Sequence, residues 1–127
     1  MALLNYHPQF APLVESGQKR MTIRAQRKRP IVTGETLHHY SGCRTKHARR
    51  LMEPVPCKRA LDIVICWKQQ PGSKYRSLEV RKQFKGKLNR SEIEQLALDD
   101  GHASVEAFQA WFLKDGITEF SGQLIEW

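Results

Sequence analysis

The sequence lacks an apolar run long enough to cross a membrane, and it lacks internal repeats and low-complexity segments. A membrane helix needs about 18 or more consecutive apolar residues, and no stretch of the chain approaches that length. The N-terminus has no basic region followed by an apolar one, so a secretory signal is not expected. The three cysteines, Cys43, Cys57 and Cys66, are odd in number and lack the spacing of a disulfide framework, which is typical of proteins in a reducing compartment. We therefore expect a cytoplasmic protein without a membrane partner.

Recognisable metal and cofactor motifs are also lacking. Structural zinc sites usually pair their ligands at short spacings, whereas Cys43 and His47 form an isolated pair and Cys57 and Cys66 lie far apart along a strand-like segment. The sequence thus predicts no metal site and no cofactor. No helix-turn-helix, zinc-finger or basic-zipper pattern is present, which disfavours reading of DNA through its major groove.

Acidic residues are scarce in most of the chain. Residues 1–87 hold 19 Lys or Arg against 5 Asp or Glu, whereas residues 88–127 hold 2 against 8, and the net charge is +8. Such polarised charge bears on partners rather than on fold. We expect the basic part to attract a polyanion, and nucleic acid is the favoured partner, although a basic surface kept for solubility is the alternative.

The 127 residues are enough for one domain with a single modest core. Residues 57–67 carry apolar side chains on both faces, which predicts a central, buried strand. The motif Ser91-x-x-Glu94 predicts a helix start, Ser104 predicts a second one, and Phe108, Trp111 and Phe112 form an apolar stripe that we interpret as core. Strands are predicted at residues 2–6, 21–23, 36–40, 57–67, 77–85 (an edge strand) and 120–127, and helices at 10–15, at 92–99 and after Ser104. This order favours an α+β fold, a small and mostly antiparallel β-barrel with helices covering one end.

The segment from Gly17 to Arg24 places an amine, a hydroxyl and a guanidinium within six residues. Side chains two apart on a strand share a face, so Thr22 and Arg24 are expected to point one way and Met21 and Ile23 into a core. Lys19, at the turn before the strand, is expected to reach over the same face as Thr22. Such a set can recognise a phosphate or a carbonyl, although a solvated strand face is the simpler interpretation.

The string Gly17-x-Lys19-x-x-Thr22-Ile23-Arg24 resembles the G-x-K-x-x-T-I-R signature of the ASCH domain family. That resemblance implies a PUA-like barrel spanning a single domain, residues 1–127. It continues more weakly through Arg27-Lys28, the turn 33–35, Leu37, Tyr40, Gly42 and Arg44, and then through Asp99-Asp100-Gly101 and the aromatic helix.

The first functional hypothesis is binding of RNA or a nucleoside or nucleotide ligand in a basic cleft. In such clefts, basic side chains bind the phosphates of the ligand and aromatic rings stack on unpaired bases. Tyr40 and Tyr75 are candidate stacking platforms. The ligand-binding candidates are Lys19, Arg20, Arg24, Arg27, Lys28, Tyr40, Arg44 and Lys46.

The second hypothesis is a small hydrolase, since one ASCH-like branch deacetylates 4-acetylcytidine and another cleaves single-stranded RNA. The resemblance assigns Lys19 as general base, Thr22 as nucleophile and Asp100 as the acidic residue, with Asp where that branch has Glu. The adjacent His38 and His39 face opposite sides of a strand and offer no comparable pair. An adaptor that binds an acidic protein is a third possibility, and the oligomeric state is left open.

Overall fold

Alternating apolar residues build the strands of two sheets, and three helices pack against them. The computed structural model describes residues 1–69 and 71–127. The strands are β1 (Ala2–Tyr6), β2 (Met21–Ala25), β3 (Thr36–Ser41), β4 (Arg49–Arg50), β5 (Val55–Pro56), β6 (Arg59–Gln69), β7 (Arg76–Lys82), β8 (Gly86–Lys87) and β9 (Glu119–Glu126). The helices are α1 (Ala11–Glu15), α2 (Arg90–Asp99) and α3 (Val105–Phe112).

One sheet joins β1 in parallel to β3, which also pairs antiparallel with β4 and β5. The larger sheet is antiparallel throughout, in the order β2-β9-β6-β7-β8. The prediction of an α+β fold with mostly antiparallel strands is confirmed. The strand pairing of the described residues forms two sheets and not one closed ring, so a PUA-like barrel does not follow from it.

The central position of β6 follows from its two apolar faces. β6 pairs with β9 on one side and β7 on the other, as predicted for residues 57–67. Ile63 and Ile65 pack with the buried Phe108 and Phe112 of α3 in one core cluster. Ala60, on the opposite face, packs against a second cluster between the two sheets. The core is thus divided by the larger sheet.

Two arginines bridge the gap between the sheets. The Nη1 atom of Arg24 donates to the carbonyl oxygen of Asn5 at 2.7 Å, and Nη2 of Arg27 donates to that of Leu3 at 2.9 Å. Leu3 and Asn5 lie on β1, which is an edge strand of its sheet. Guanidinium groups therefore satisfy carbonyls that would otherwise be exposed at this edge, and they hold β1 beside β2.

Several boundaries differ from the sequence predictions by one or more residues; the strand predicted at 57–67, for example, spans Arg59–Gln69. The capping box of α2 is formed by Asn89 and Glu92, whose side chains each accept the other's backbone N–H at 2.8 and 3.0 Å, so the prediction for Ser91 and Glu94 was wrong by two residues. A cap residue followed three positions later by glutamate occurs twice here, at Asn89 and at Ser91. Only the first of these two motifs coincides with the end of the preceding loop. Ser104 caps α3 as predicted.

The predicted edge strand 77–85 is also wrong in part. β7 ends at Lys82, where a turn reverses the chain, and it pairs with both β6 and β8. β8 therefore occupies the edge of the larger sheet.

In the described part of the chain, no helix has the length and apolar character that crossing a membrane requires.

Gly122 is required where β9 passes between β2 and β6. A Cβ atom at this position would lie well inside van der Waals distance of the Arg24 carbonyl oxygen. We expect Gly122→Ala to lower the free energy of unfolding by about 2 kcal/mol or more, because backbone atoms of β2 must move to relieve the overlap. Urea unfolding measures this, and Ser121→Ala, on an exposed neighbour in the same strand, is the control. Equal midpoints for both variants would show that β2 shifts without penalty.

Candidate functional site

Lys19 is a buried cation, with 3% of its side chain exposed. Helix α1 ends at Ser16, Gly17 takes a left-handed φ of 81°, and the Lys19 backbone N–H donates to the Leu13 carbonyl at 2.9 Å. This turn sends the side chain back into the molecule. The Nζ atom donates to the Asp100 carboxylate at 2.6 Å and to its backbone carbonyl at 2.5 Å. Sequence expectation and structure agree that Lys19 reaches over the face of β2.

Asp100 holds Lys19 with one carboxylate oxygen and a histidine with the other. It caps the C-terminus of α2 and is 4% exposed. The His102 Nε2 atom lies 3.0 Å from Asp100 Oδ2 and can donate to it. His102 is buried among the rings of Phe10, Phe108 and Trp111. The structure therefore contains a buried chain from a lysine through a carboxylate to an imidazole.

Thr22 and Arg24 share a face of β2, as the strand period predicts. Arg24 Nε donates to the Thr22 hydroxyl oxygen at 3.1 Å, and the guanidinium lies 4.6 Å from the centroid of the Tyr6 ring. Met21 and Ile23 point into the core on the other side, which is also as predicted. Among the described hydrogen bonds, none joins Lys19 Nζ to the Thr22 hydroxyl. Both groups nevertheless line one pocket.

That pocket has a cavity volume of about 100 Å³. This is smaller than the roughly 300–1,000 Å³ that is usual for small-molecule sites, so only a small part of a ligand fits inside it. One wall is aromatic, since the rings of Phe10 and Trp111 meet edge to face at 5.2 Å and His7 packs on Trp111 at 5.8 Å. The lining residues are Asn5, Tyr6, His7, Phe10, Lys19, Thr22, Ile23, Arg24, Asp100 and Trp111.

Burial controls the electrostatics of the pocket. It lowers the pKa of Lys19, because a desolvated ammonium is disfavoured, and the charge and hydrogen bond of Asp100 oppose this shift only in part. Burial also raises the pKa of the Tyr6 hydroxyl, with Arg24 acting in the opposite direction. The lowered pKa increases the fraction of Lys19 that is neutral and able to accept a proton near neutral pH.

His39 supports the pocket from behind. It is fully buried, its Nδ1 atom lies 2.9 Å from the Tyr6 hydroxyl, and its ring packs on Trp127 at 4.3 Å. Burial lowers the pKa of His39 to about 4, and the charges of Arg24 and His38 add to this effect. His38 is half-buried on the other side of the strand, as the sequence predicts.

The other predicted ligand-binding residues lie outside this pocket. Arg20 borders a separate depression beside Trp127, and Arg27 is bound to the Leu3 carbonyl. Tyr40 is half-buried on β3 opposite Arg50. Lys28, Arg44 and Lys46 are exposed. The loop carrying the last two lies beside the pocket, since the Cys43 backbone N–H donates to the Asn5 side chain at 3.1 Å.

Sequence reasoning missed part of the site. Trp111 was interpreted as core, but it is 37% exposed and lines the pocket, whereas Phe108 and Phe112 are buried as predicted. His102 was not identified, because nothing in its local spacing connects it to Lys19. Within the described residues, no three His, Cys, Asp or Glu side chains are grouped so that they could hold a metal ion.

We expect the low pKa of His39 to make the fold sensitive to acid. Because the pKa is about 4 in the folded chain and 6.5 in the unfolded one, stability is full above pH 6.5 and decreases as the pH falls towards 4. His39→Gln keeps a partner for the Tyr6 hydroxyl and does not titrate. Urea unfolding at pH 7.5, 5.5 and 4.5 should show a smaller acid loss for the variant, by up to about 3 kcal/mol. Parallel losses in both proteins would mean that His39 is protonated without strain.

Comparison with protein-family models, with curated proteins and with solved structures finds no match for this chain.

Proposed function

We propose that the protein is a small hydrolase of the ASCH type and PUA-like fold that removes the acyl group from an N-acylated nucleoside such as 4-acetylcytidine. The observation that carries this proposal is the buried Lys19, held 2.6 Å from Asp100 in a pocket that also contains the Thr22 hydroxyl. A lysine that is desolvated and oriented by a carboxylate is suited to proton transfer.

In the proposed reaction, Lys19 Nζ accepts the Thr22 hydroxyl proton as the Thr22 oxygen attacks the acyl carbon. The tetrahedral intermediate collapses when the carbon–nitrogen bond breaks, and the protonated Lys19 returns its proton to the leaving amine. Water then attacks the acyl carbon of the threonyl ester while Lys19 accepts its proton. The bond between that carbon and the Thr22 oxygen breaks, Lys19 returns the proton to the Thr22 oxygen, and the carboxylic acid is released. Asp100 orients Lys19 throughout, and His102 fixes the second oxygen of Asp100.

Two further features suit an acylated base. Arg24 donates to the Thr22 hydroxyl at 3.1 Å, and in the proposed reaction its guanidinium stabilises the negative charge that develops on the acyl oxygen. The aromatic wall of Trp111 and Phe10, whose rings stand nearly perpendicular to each other, offers an edge and a face against which a flat heterocycle can pack. The small, partly aromatic pocket thus fits a single base better than a length of polymer.

The second candidate is a module that binds RNA or a nucleotide without catalysis. The observation that favours it is the loop 42–48, which is tied to Asn5 at the pocket and exposes Arg44 and Lys46 there. These cations would attract a phosphate attached to the bound nucleoside. Cleavage of single-stranded RNA by the same Lys19 and Thr22 is a variant of the first proposal with a phosphorus centre.

Thr22→Ala separates the two candidates. If Thr22 is the nucleophile, acetate release from 4-acetylcytidine should fall by about a thousand-fold or more while ligand affinity changes by about 1 kcal/mol, the worth of one hydrogen bond. Acetate signals and chemical-shift titration in the same NMR tubes measure both quantities. Thr36→Ala, at an exposed threonine of β3, is the matched control. Equal losses of binding and turnover would contradict the nucleophile role.

The wild-type titration has its own decisive outcomes. Acetate release makes the protein a hydrolase. Shifts at residues 19–29 with cytidine or a nucleotide, but without product, would favour the binding module. Absence of shifts with every ligand would remove both candidates from this pocket.

The turnover should rise with pH through the lowered pKa of Lys19, because only the neutral amine accepts a proton. The midpoint of this rise should lie below 10.5, the ordinary pKa of a lysine. Lys19→Arg keeps a cation next to Asp100 but cannot be deprotonated, so it should lack turnover at every pH. A pH profile unchanged in Lys19→Arg would rule out Lys19 as the base.

A further inference from the structure

Phe84 is the most exposed large apolar residue described, at 91%, and its backbone is left-handed, with φ of 69°. It lies in the turn between β7 and β8, which is closed by a hydrogen bond from the Lys85 N–H to the Lys82 carbonyl at 3.2 Å. Phe84 is therefore the third residue of a turn that favours glycine at that position. A side chain there costs about 1 kcal/mol or more. The fold gains nothing visible from Phe84 in return.

The turn is anchored, so Phe84 is held outward. The Gln83 backbone N–H donates to the Asp62 carbonyl at 2.9 Å, and the Asp62 N–H donates to the Gln83 side chain at 3.0 Å. Both bonds attach the turn to β6, the central strand of the larger sheet. Local strain that is held in place by its surroundings is typical of functional positions.

Phe84 borders a groove that is rich in cations, which we call the Phe84 groove. Because β6 and β7 are antiparallel, the start of β6 and the end of β7 lie at the same end of the larger sheet, and Phe84 follows β7 there. The groove has a volume of about 400 Å³. Its lining residues are Thr33, Arg59, Ala60, Leu61, Lys82, Gln83, Phe84 and Lys85, with no carboxylate among them.

Acidic neighbours neutralise these cations only in part. Arg59 pairs with Glu126 at 2.5 Å and Lys85 pairs with Glu92 at 2.8 Å, and both pairs are open to solvent. Exposed pairs of this kind contribute roughly 0–1 kcal/mol, so a phosphate can displace the carboxylates. Lys82 forms no ion pair with any residue that the structure describes.

We propose that the Phe84 groove binds single-stranded nucleic acid, with one base stacked on Phe84 and adjacent phosphates held by Lys82, Arg59 and Lys85. An exposed ring combined with a line of cations is the arrangement by which proteins bind unpaired strands without reading their sequence. The groove shares no residue with the pocket of Lys19 and Thr22. It is therefore a second site, independent of the proposed hydrolase, and it differs from the basic residues that the sequence resemblance indicated.

Phe84→Gly is the decisive variant, because glycine suits the left-handed backbone and the fold should be as stable or more stable. Binding of a fluorescein-labelled twelve-nucleotide oligouridine is measured by anisotropy, beside a thermal melt. We expect the dissociation constant to rise about ten-fold, since stacking of one base contributes about 1–3 kcal/mol. Tyr75→Gly removes the other exposed ring, next to the opposite end of β7, which the sequence also offers as a stacking platform. We expect Phe84→Gly to lose more affinity than this comparison variant.

Lys82→Gln tests the phosphate contact. The slope of log affinity against log salt concentration should become shallower by about 0.7, the change expected for one lost phosphate contact on a single strand. Lys74→Gln, an exposed lysine next to Tyr75, should leave the slope unchanged. Acetate release from 4-acetylcytidine is assayed in parallel. Absence of that activity would count against the proposed hydrolase in the Lys19 pocket and would leave the proposal for the Phe84 groove unaffected.

Three results would overturn the proposal. The first is oligouridine affinity that is equal in Phe84→Gly and the wild type. The second is a loss that follows Tyr75→Gly instead, which would place the stacking platform at the opposite end of β7. The third is binding to vesicles of phosphatidylcholine and phosphatidylglycerol that depends on Phe84 while oligouridine does not bind, which would make the groove a lipid site.

Discussion

The ion pair between Lys19 and Asp100 is the interaction on which the candidate site depends. It joins residues 81 positions apart, bringing the turn before β2 to the connection between α2 and α3. Two buried charges are tolerated only when each satisfies the other, and removing one partner of such a pair commonly costs 3–5 kcal/mol or so. His102 and the second oxygen of Asp100 complete this requirement. The same burial that makes the pair costly to break also lowers the pKa of Lys19 and makes it a candidate base.

Arg24 of β2 links the pocket to the rest of the fold. Arg24 contacts the Thr22 hydroxyl, the Asn5 carbonyl and the Tyr6 ring, so one side chain positions a candidate nucleophile and also joins the two sheets. Behind it, His39 and Trp127 hold Tyr6 in place. Arg24 therefore contributes both to the stability of the fold and to the proposed chemistry, and a substitution of Arg24 is expected to affect both.

The basic charge of the chain is divided between two kinds of environment. Asp100 neutralises the charge of Lys19, whereas Arg24 and Arg27 donate to backbone carbonyls, which occupies part of their hydrogen-bonding capacity but leaves their charge. The cations around Phe84 lie at the surface, next to an exposed ring. A polyanion is thus expected at the edge of the larger sheet, while a small ligand is expected in the pocket.

Much of the local structure could be predicted from the sequence, and little of the long-range contact could. The two apolar faces of residues 57–67 determined that β6 is central, and the period of a strand determined that Thr22 and Arg24 share a face, because both depend only on neighbouring residues. The sequence resemblance indicated Asp100, but only the tertiary structure decided that it meets Lys19, that His102 lies behind it and that Trp111 lines the pocket. It also decided that arginine side chains join the sheets where no strand pairing does among the described residues. These contacts are set by how helices and sheets pack, which local spacing does not encode.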